Sequence, residues 1–172
     1  MKFHKIKQFT SNGRYEVHIP VADVKTMIDR YIKEYGLRLN PDFQRGHVWN
    51  EQQQVAYVEY LLKGGTGSRI FYFNCPNWMS GKLNRNSTFV CVDGLQRVTA
   101  IYKFLSNEIK AFDHYYSEFE DEIDMLNCVR FNVNNLQTRR EVLRWYLEMN
   151  IGGTIHTDEE IEKVKKLLKK EQ

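Results

Sequence analysis

Asp93-Gly94-Leu95-Gln96-Arg97 ends an apolar run and opens a helical pattern. A plain strand-to-helix connection needs none of these polar groups, whereas an anion site does. The first turn of a helix has backbone N–H groups without intrahelical partners, and it carries partial positive charge. Phosphate binds there readily. Gly94 lets the chain turn sharply and lets a ligand approach the backbone. Arg97 adds a planar fork of donors suited to phosphate. Gln96 can donate to an oxygen or position a water, and Thr99 extends the phosphate-binding group into the helix. Asp93 can hold Arg97, bind a magnesium ion or take a proton. The alternative is that Asp93 and Arg97 form an internal ion pair that caps the helix. One or two charged contacts give only roughly millimolar affinity, so a nucleotide site here needs a second wall.

Two other segments could supply that wall. In Asn40–Asn50, NPDFQRGHVWN, Pro41 fixes a turn and Phe43 and Trp49 are apolar anchors. Asp42, Gln44, Arg45 and His47 lie between them, presented by a pegged loop. The alternative is a plain connection in which Arg45 pairs with Asp42 and Trp49 plugs the core. In Met149–Glu160, EMNIGGTIHTDEE less its first residue, Asn150 with Gly152 and Gly153 is either a helix C-cap or a turn whose amides face an anion. Cys75, Cys91 and Cys128 have no metal-type spacing and read as small buried thiols. The five histidines are scattered, with no HExxH and no zinc-ligand pair, so no structural metal is expected.

The elements that must position these groups follow from periodicity. Tyr15–Pro20 reads as a strand, paired across a turn at Ser11-Asn12-Gly13 with a strand in Phe3–Phe9. A helix after Pro20 carries Val24, Met27, Ile28, Tyr31 and Tyr35 on one face and ends at Gly36. Asn50 and Gln53 form a capping box for a helix with Val55, Val58, Leu61 and Leu62 inward, stopped by Gly64-Gly65. Arg69–Asn74 is a strand by its aromatic and β-branched content. Residues 75–86 are a loop. Thr88–Asp93 is continuously apolar and is expected at the centre of the sheet, buried on both faces. The helix from Gln96 carries Val98, Ile101, Tyr102 and Leu105 on one stripe. Cys128–Val133 is a further strand. The helix in Thr138–Asn150 turns Val142, Tyr146 and Met149 inward. Thr157 and Glu160 cap a last helix with Ile161, Val164, Leu167 and Leu168 as its apolar stripe. This mixture predicts one α+β domain over residues 1–172 with a small mixed sheet.

Net charge is +3, too small to require a nucleic-acid partner. Lys2, Lys5, Lys7, Arg139, Arg140 and Arg144 could nevertheless contact DNA phosphates. Glu108–Asp124 is strongly acidic and reads as a solvated face. No run is long enough to span a membrane, and the N-terminus lacks the apolar core of a signal peptide. A cytoplasmic protein is expected.

In this order, NPDFQRGHVWN, VDGLQRVTAIYKFL and MNIGGTIHTDEEI resemble the N-terminal domain of the GmrSD family of modification-dependent restriction enzymes, from about Leu37 to Ile161. The resemblance implies a ParB/sulfiredoxin-like α+β fold, a small mixed sheet flanked by about five helices. It implies nucleoside triphosphate binding and hydrolysis that controls a DNA nuclease, in a bacterial cell or encoded by a phage. By matching position, Asp93, Gln96, Arg97 and Arg45 inherit catalysis. Gly94, Arg97, Thr99, Asp42, Gln44, Arg45, Asn150, Gly152 and Gly153 inherit nucleotide binding, and Asp93 inherits Mg2+. Leu95 departs from the family's glutamine. It alters the site if its side chain meets substrate and is harmless if it faces the core. The His-Asn-His nuclease motif is also missing, so the expected partner is a separate nuclease or defence protein. A DNA-binding module and a non-catalytic inhibitor of defence systems are the competing readings, and oligomeric state stays open.

Overall fold

The computed structural model describes residues 1–2, 5–6, 15–78, 83, 88–151 and 158–171. The turn expected at Ser11-Asn12-Gly13, most of the strand expected before it, Gly152, Gly153 and the Thr157 cap lie outside the described residues; within that first strand, Lys5 and Ile6 are not in a strand. Four strands, β1 (Tyr15–Pro20), β2 (Ile70–Asn74), β3 (Val90–Asp93) and β4 (Cys128–Asn134), form one sheet in the order β1-β4-β2-β3. β2 and β4 run parallel at its centre, while β1 and β3 pair antiparallel at its edges. Around it stand α1 (Val24–Tyr35), α2 (Glu51–Leu62), α3 (Leu95–Leu105), α4 (Arg139–Ile151) and α5 (Asp158–Lys170). The architecture is α+β with a mixed sheet and five helices among the described residues.

Alternation along the strands divides the apolar side chains between two layers. Phe71, Phe73, Phe89, Cys91, Val129, Phe131 and Val133 pack with α1, α2 and α3 in the larger core. Tyr72, Val90 and Val92 point the other way, where Phe43, Leu136, α4 and Val164 of α5 form a second cluster. Both faces of the sheet are thus covered.

The expected helix signals are in place with small shifts. Asn50 and Gln53 make the reciprocal capping box, and Gly36 ends α1 in a left-handed conformation, φ 67°. The inner face of α2 is Gln54, Tyr57, Val58 and Leu61, so Val55 and Leu62 are only partly buried. Gln54 turns inward because its amide donates to the Trp49 carbonyl at 3.1 Å. Leu143, Trp145 and Leu147 join Val142 and Tyr146 in the core beside α4, with Met149 half-buried. Cys75 and Cys91 are buried and unbridged, and burial pushes the Cys75 thiol up to about 12.

The expected place of β3 in the sheet also fails. The continuously apolar strand β3 lies at the edge of the sheet, not at its centre. Its outer backbone is covered by the chain after α1. Arg38 N–H donates to Phe89 O at 2.9 Å, and Cys91 N–H donates to Arg38 O at 3.0 Å. The Gln44 amide donates to Val92 O at 2.9 Å and to Cys91 O at 3.3 Å. An edge covered this way is as dry as a central strand, and its composition reads accordingly.

The turn out of β3 depends on Gly94, at φ 108°. A Cβ there would stand 2.7 Å from Cδ1 of Phe71, a fully buried ring. Space and conformation both exclude a side chain. Gly94→Ala is therefore expected to cost about 2–4 kcal/mol and to lower Tm by roughly 5–12 °C in a thermal melt.

Candidate functional site

Because β3 ends at Asp93 and α3 starts at Leu95, the first turn of α3 is held rigidly at the end of the covered edge strand. Leu95 is 2% exposed and packs in the larger core, so this position offers a ligand backbone and not a side chain. Gly94 likewise serves the close approach of Phe71.

Arg97 reaches back along the turn. Nη2 donates to Asp93 Oδ2 at 2.5 Å, and Nη1 donates to the carbonyls of Ser68 and Ile70, each at 2.9 Å. Its guanidinium also lies 5.3 Å from the Phe71 ring centroid. The internal ion pair expected as the alternative reading is therefore present, on a side chain that is only 16% exposed.

Gln96 binds the loop of the first segment. Its Oε1 accepts from Val48 N–H at 3.0 Å and Trp49 N–H at 3.2 Å, while Nε2 donates to Gly46 O at 2.5 Å. Gln44 returns the same service from the other side, to Val92 and Cys91. The two segments interlock through these amides, nearly fifty residues apart in sequence. The amide of Gln96 thus grips loop backbone in this structure, a positioning arrangement where sequence suggested a contact to ligand or water.

The interlock leaves an open cleft of about 270 Å³. From the first segment it receives Gln44, Arg45 and Trp49; from the second, Asp93 to Arg97; from the third, Asn150. Arg45 Nη1 stands 3.9 Å from Glu160 Oε2 of α5, both side chains about a quarter exposed. Asn150 Nδ2 donates to Tyr146 O at 2.6 Å. Asp42 does not line this cleft and does not take Arg45. It accepts from Arg139 Nη2 at 2.7 Å, a hydrogen bond that holds its carboxyl below the usual range. Thr99 also stands apart, its hydroxyl 3.4 Å from His47 Nδ1. Gly152 and Gly153 lie outside the described residues.

Sequence reasoning did not assign Tyr57, Ser68 or Tyr146 to the site, yet all three line the cleft. Tyr146 reads as an inward helix residue, which it is; nothing in its spacing distinguishes a core ring from a cleft ring. Ser68 carries no sequence signal at all. Burial pushes the hydroxyls of Tyr57 and Tyr146 up to about 12, so both are neutral at physiological pH. Tyr57 donates to Ser68 O at 2.9 Å, which ties the Ser68 carbonyl to α2 as well as to Arg97.

The charged residues among the described lining are two arginines and one carboxylate, Asp93, and a second carboxylate, Glu160, stands 3.9 Å from Arg45 beside that lining. No group of three or more His, Cys, Asp or Glu able to hold a metal occurs among the described residues. Arg139, one of the residues available to DNA, is engaged by Asp42 and by Glu171 at 3.2 Å.

The two cleft arginines should separate in a denaturation experiment. Arg97→Ala leaves two carbonyls and Asp93 without their donor and is expected to cost about 2–4 kcal/mol in urea unfolding. Arg45→Ala loses one long ion pair and is expected to stay within about 1 kcal/mol of wild type.

Searches of curated proteins and of solved structures gave no match. Residues 24–125 match the family described as the N-terminal domain of the GmrSD restriction endonuclease. The match takes in the first segment, the edge strand it covers and the whole of α3. No helix among the described residues is long and apolar enough to cross a membrane. With more than half of its 172 residues inside that match, the chain belongs to the GmrSD N-terminal domain family and is a restriction-related module.

Proposed function

We propose that the cleft binds a nucleoside triphosphate and that the module hydrolyses it. The observation that carries this reading is convergence. Arg45, the first turn of α3 with Arg97, and Asn150 come from three distant segments and line one cleft. A helix start supplies N–H donors and positive potential for phosphate, and the arginines supply the opposite charge at either side. Arg97, fixed by Asp93 and two carbonyls, acts as a static part of this field. Arg45 has a long contact to Glu160, which a phosphate would replace with a shorter one. It is the cation placed to meet charge developing on the transferred phosphoryl.

Gln44 and Gln96 act as positioning residues that keep Arg45 and Trp49 over the α3 start. The cleft volume of about 270 Å³ is just below the range of about 300–1,000 Å³ for small-molecule sites. It suits the phosphates, with the nucleoside placed against Trp49 and Tyr146, whose rings also line the cleft. Asp93 is the group that would hold Mg2+ or orient the attacking water. A single carboxylate already paired with Arg97 fits an ion that arrives with the triphosphate, since Mg2+ commonly uses one or two carboxylates plus substrate phosphates. When bound, that ion neutralises phosphate charge. The ParB/sulfiredoxin likeness, control of a separate nuclease or defence protein, and DNA as the eventual target belong to the same proposal.

The test is a thermal-shift panel of ATP, GTP, CTP and UTP, each with Mg2+, on wild type and Arg45→Ala. A ligand at a hundred times its Kd stabilises by about 2.7 kcal/mol, which for this size is a shift of roughly 5–10 °C. One nucleotide is expected to shift wild type and to lose that shift in Arg45→Ala, with phosphate release assayed next. If none of the four moves wild type, nucleotide binding is excluded; steeply salt-dependent DNA binding would then take its place.

A further inference from the structure

A second pocket lies away from the cleft, between the last turn of α3 and the acidic segment that follows it. Its volume is about 260 Å³. Aromatic side chains build it. Phe104 of α3 stacks edge-on with Tyr116 at 5.6 Å and with Phe119 at 6.1 Å, and Phe112 stands beside them. Carboxylates of Asp121, Glu122 and Asp124 close the rim. The acidic run read as a solvated face is thus partly the border of an apolar pocket.

Three features of this pocket are not explained by folding. Phe112 and Phe119 are 39% and 36% exposed, although α3 and α2 offer apolar surface nearby. Phe112 and Asp113 form the tip of a tight turn closed by reciprocal bonds between Ala111 and His114, with φ of 51° and 65°. Such a turn favours Asn-Gly, and a bulky aromatic there is strained. Glu59 accepts from Phe112 N–H at 2.9 Å and holds the backbone of that turn. Finally, neither Asp121 nor Glu122 forms an ion pair among the described residues. Local rules broken without a packing gain mark functional positions.

We propose that this pocket docks a lysine or arginine side chain presented by a basic, partly apolar segment of another protein. Aromatic faces attract ammonium and guanidinium groups, and a carboxylate rim adds charge complementarity. The molecule already shows the contact on a small scale: Lys63 Nζ lies 5.1 Å from the Phe112 ring centroid. The C-terminal end of α3 adds negative potential at the pocket floor. The occupant is a protein segment and not a free small cation because the apolar surface continues along the chain. Met125 and Leu126, next to Asp124, are 65% and 87% exposed. DNA is repelled by the same rim.

The probe is a fluorescein-labelled peptide of alternating lysine, leucine and arginine, with a version carrying glutamine at the basic positions. Fluorescence anisotropy at physiological salt reads its binding to the whole chain. Wild type is expected to bind the basic peptide and not the glutamine version. The double variant Asp121→Lys with Glu122→Lys, and separately Phe119→Ser, should each weaken binding about tenfold or more. Glu148→Lys, on the exposed side of α4, should leave it unchanged. Undiminished binding in either pocket variant overturns the assignment, as does absence of binding to wild type. Equal loss in Glu148→Lys would reduce the effect to overall charge and reject the pocket. Equal affinity for free arginine amide would make it a small-cation site instead. Wild-type self-association abolished by the pocket variants would give the surface to a second copy of the chain.

Discussion

The arrangement rests on how one edge strand satisfies its backbone. β3 is short, apolar on both faces and paired on one side only. Unpaired peptide groups next to a dry core are costly, so the open side must find partners. The chain after α1 supplies them, first through the backbone of Arg38 and then through the amide of Gln44. Each such bond contributes only about 1 kcal/mol net, but leaving its partner buried and unmade costs more. Covering the edge therefore fixes the loop that carries Arg45. Gln96 completes the fixation by holding Gly46, Val48 and Trp49 from the first turn of α3. Fold stability and site geometry thus share the same hydrogen bonds.

Arg97 shows how one residue can satisfy two readings of its sequence. The question was whether Asp93 and Arg97 form a cap or a phosphate cradle. In the structure the ion pair exists, and the paired groups still line the cleft. A guanidinium has five N–H donors, and the pair with two carbonyls employs three hydrogen bonds. Fixing a cation in this way removes its flexibility before any ligand arrives, which is what preorganised electrostatics requires. Arg45 is the opposite case. Its contact to Glu160 is long, so its position can respond to an anion.

Much of this was legible in the residues. Glycine at 36 and 94, the Asn50–Gln53 box and the apolar stripes of the helices are local signals, and local signals placed the elements within a residue or two. The rank of β3 in the sheet was not legible, because burial by a covering loop produces the same composition as burial between strands. The roles of Gln44 and Gln96 were not legible either. An amide that grips a loop and an amide that faces a ligand have the same sequence, and only the partner forty-seven or more positions away separates them. Tyr57 and Tyr146 were hidden among core rings for a similar reason: a cleft wall and a core wall are both apolar.

α3 ties the cleft and the aromatic pocket together. Its first turn opens onto the arginine-lined cleft, and Phe104 on its last turn floors the aromatic pocket. Eleven residues at about 1.5 Å each separate the ends by roughly 16 Å. α2 runs between the same two places, with Tyr57 in the cleft and Leu62 at the pocket. The polarity of α3 suits the division: its positive end faces the side where two arginines gather, and its negative end faces the side where carboxylates do. A single helix dipole thus favours an anion at one site and a cation at the other. Both helices are packed along their length in the larger core, so a displacement forced at one end would move the other as a rigid body. That mechanical continuity joins the cleft proposed to bind a nucleotide to the pocket proposed to dock a protein segment.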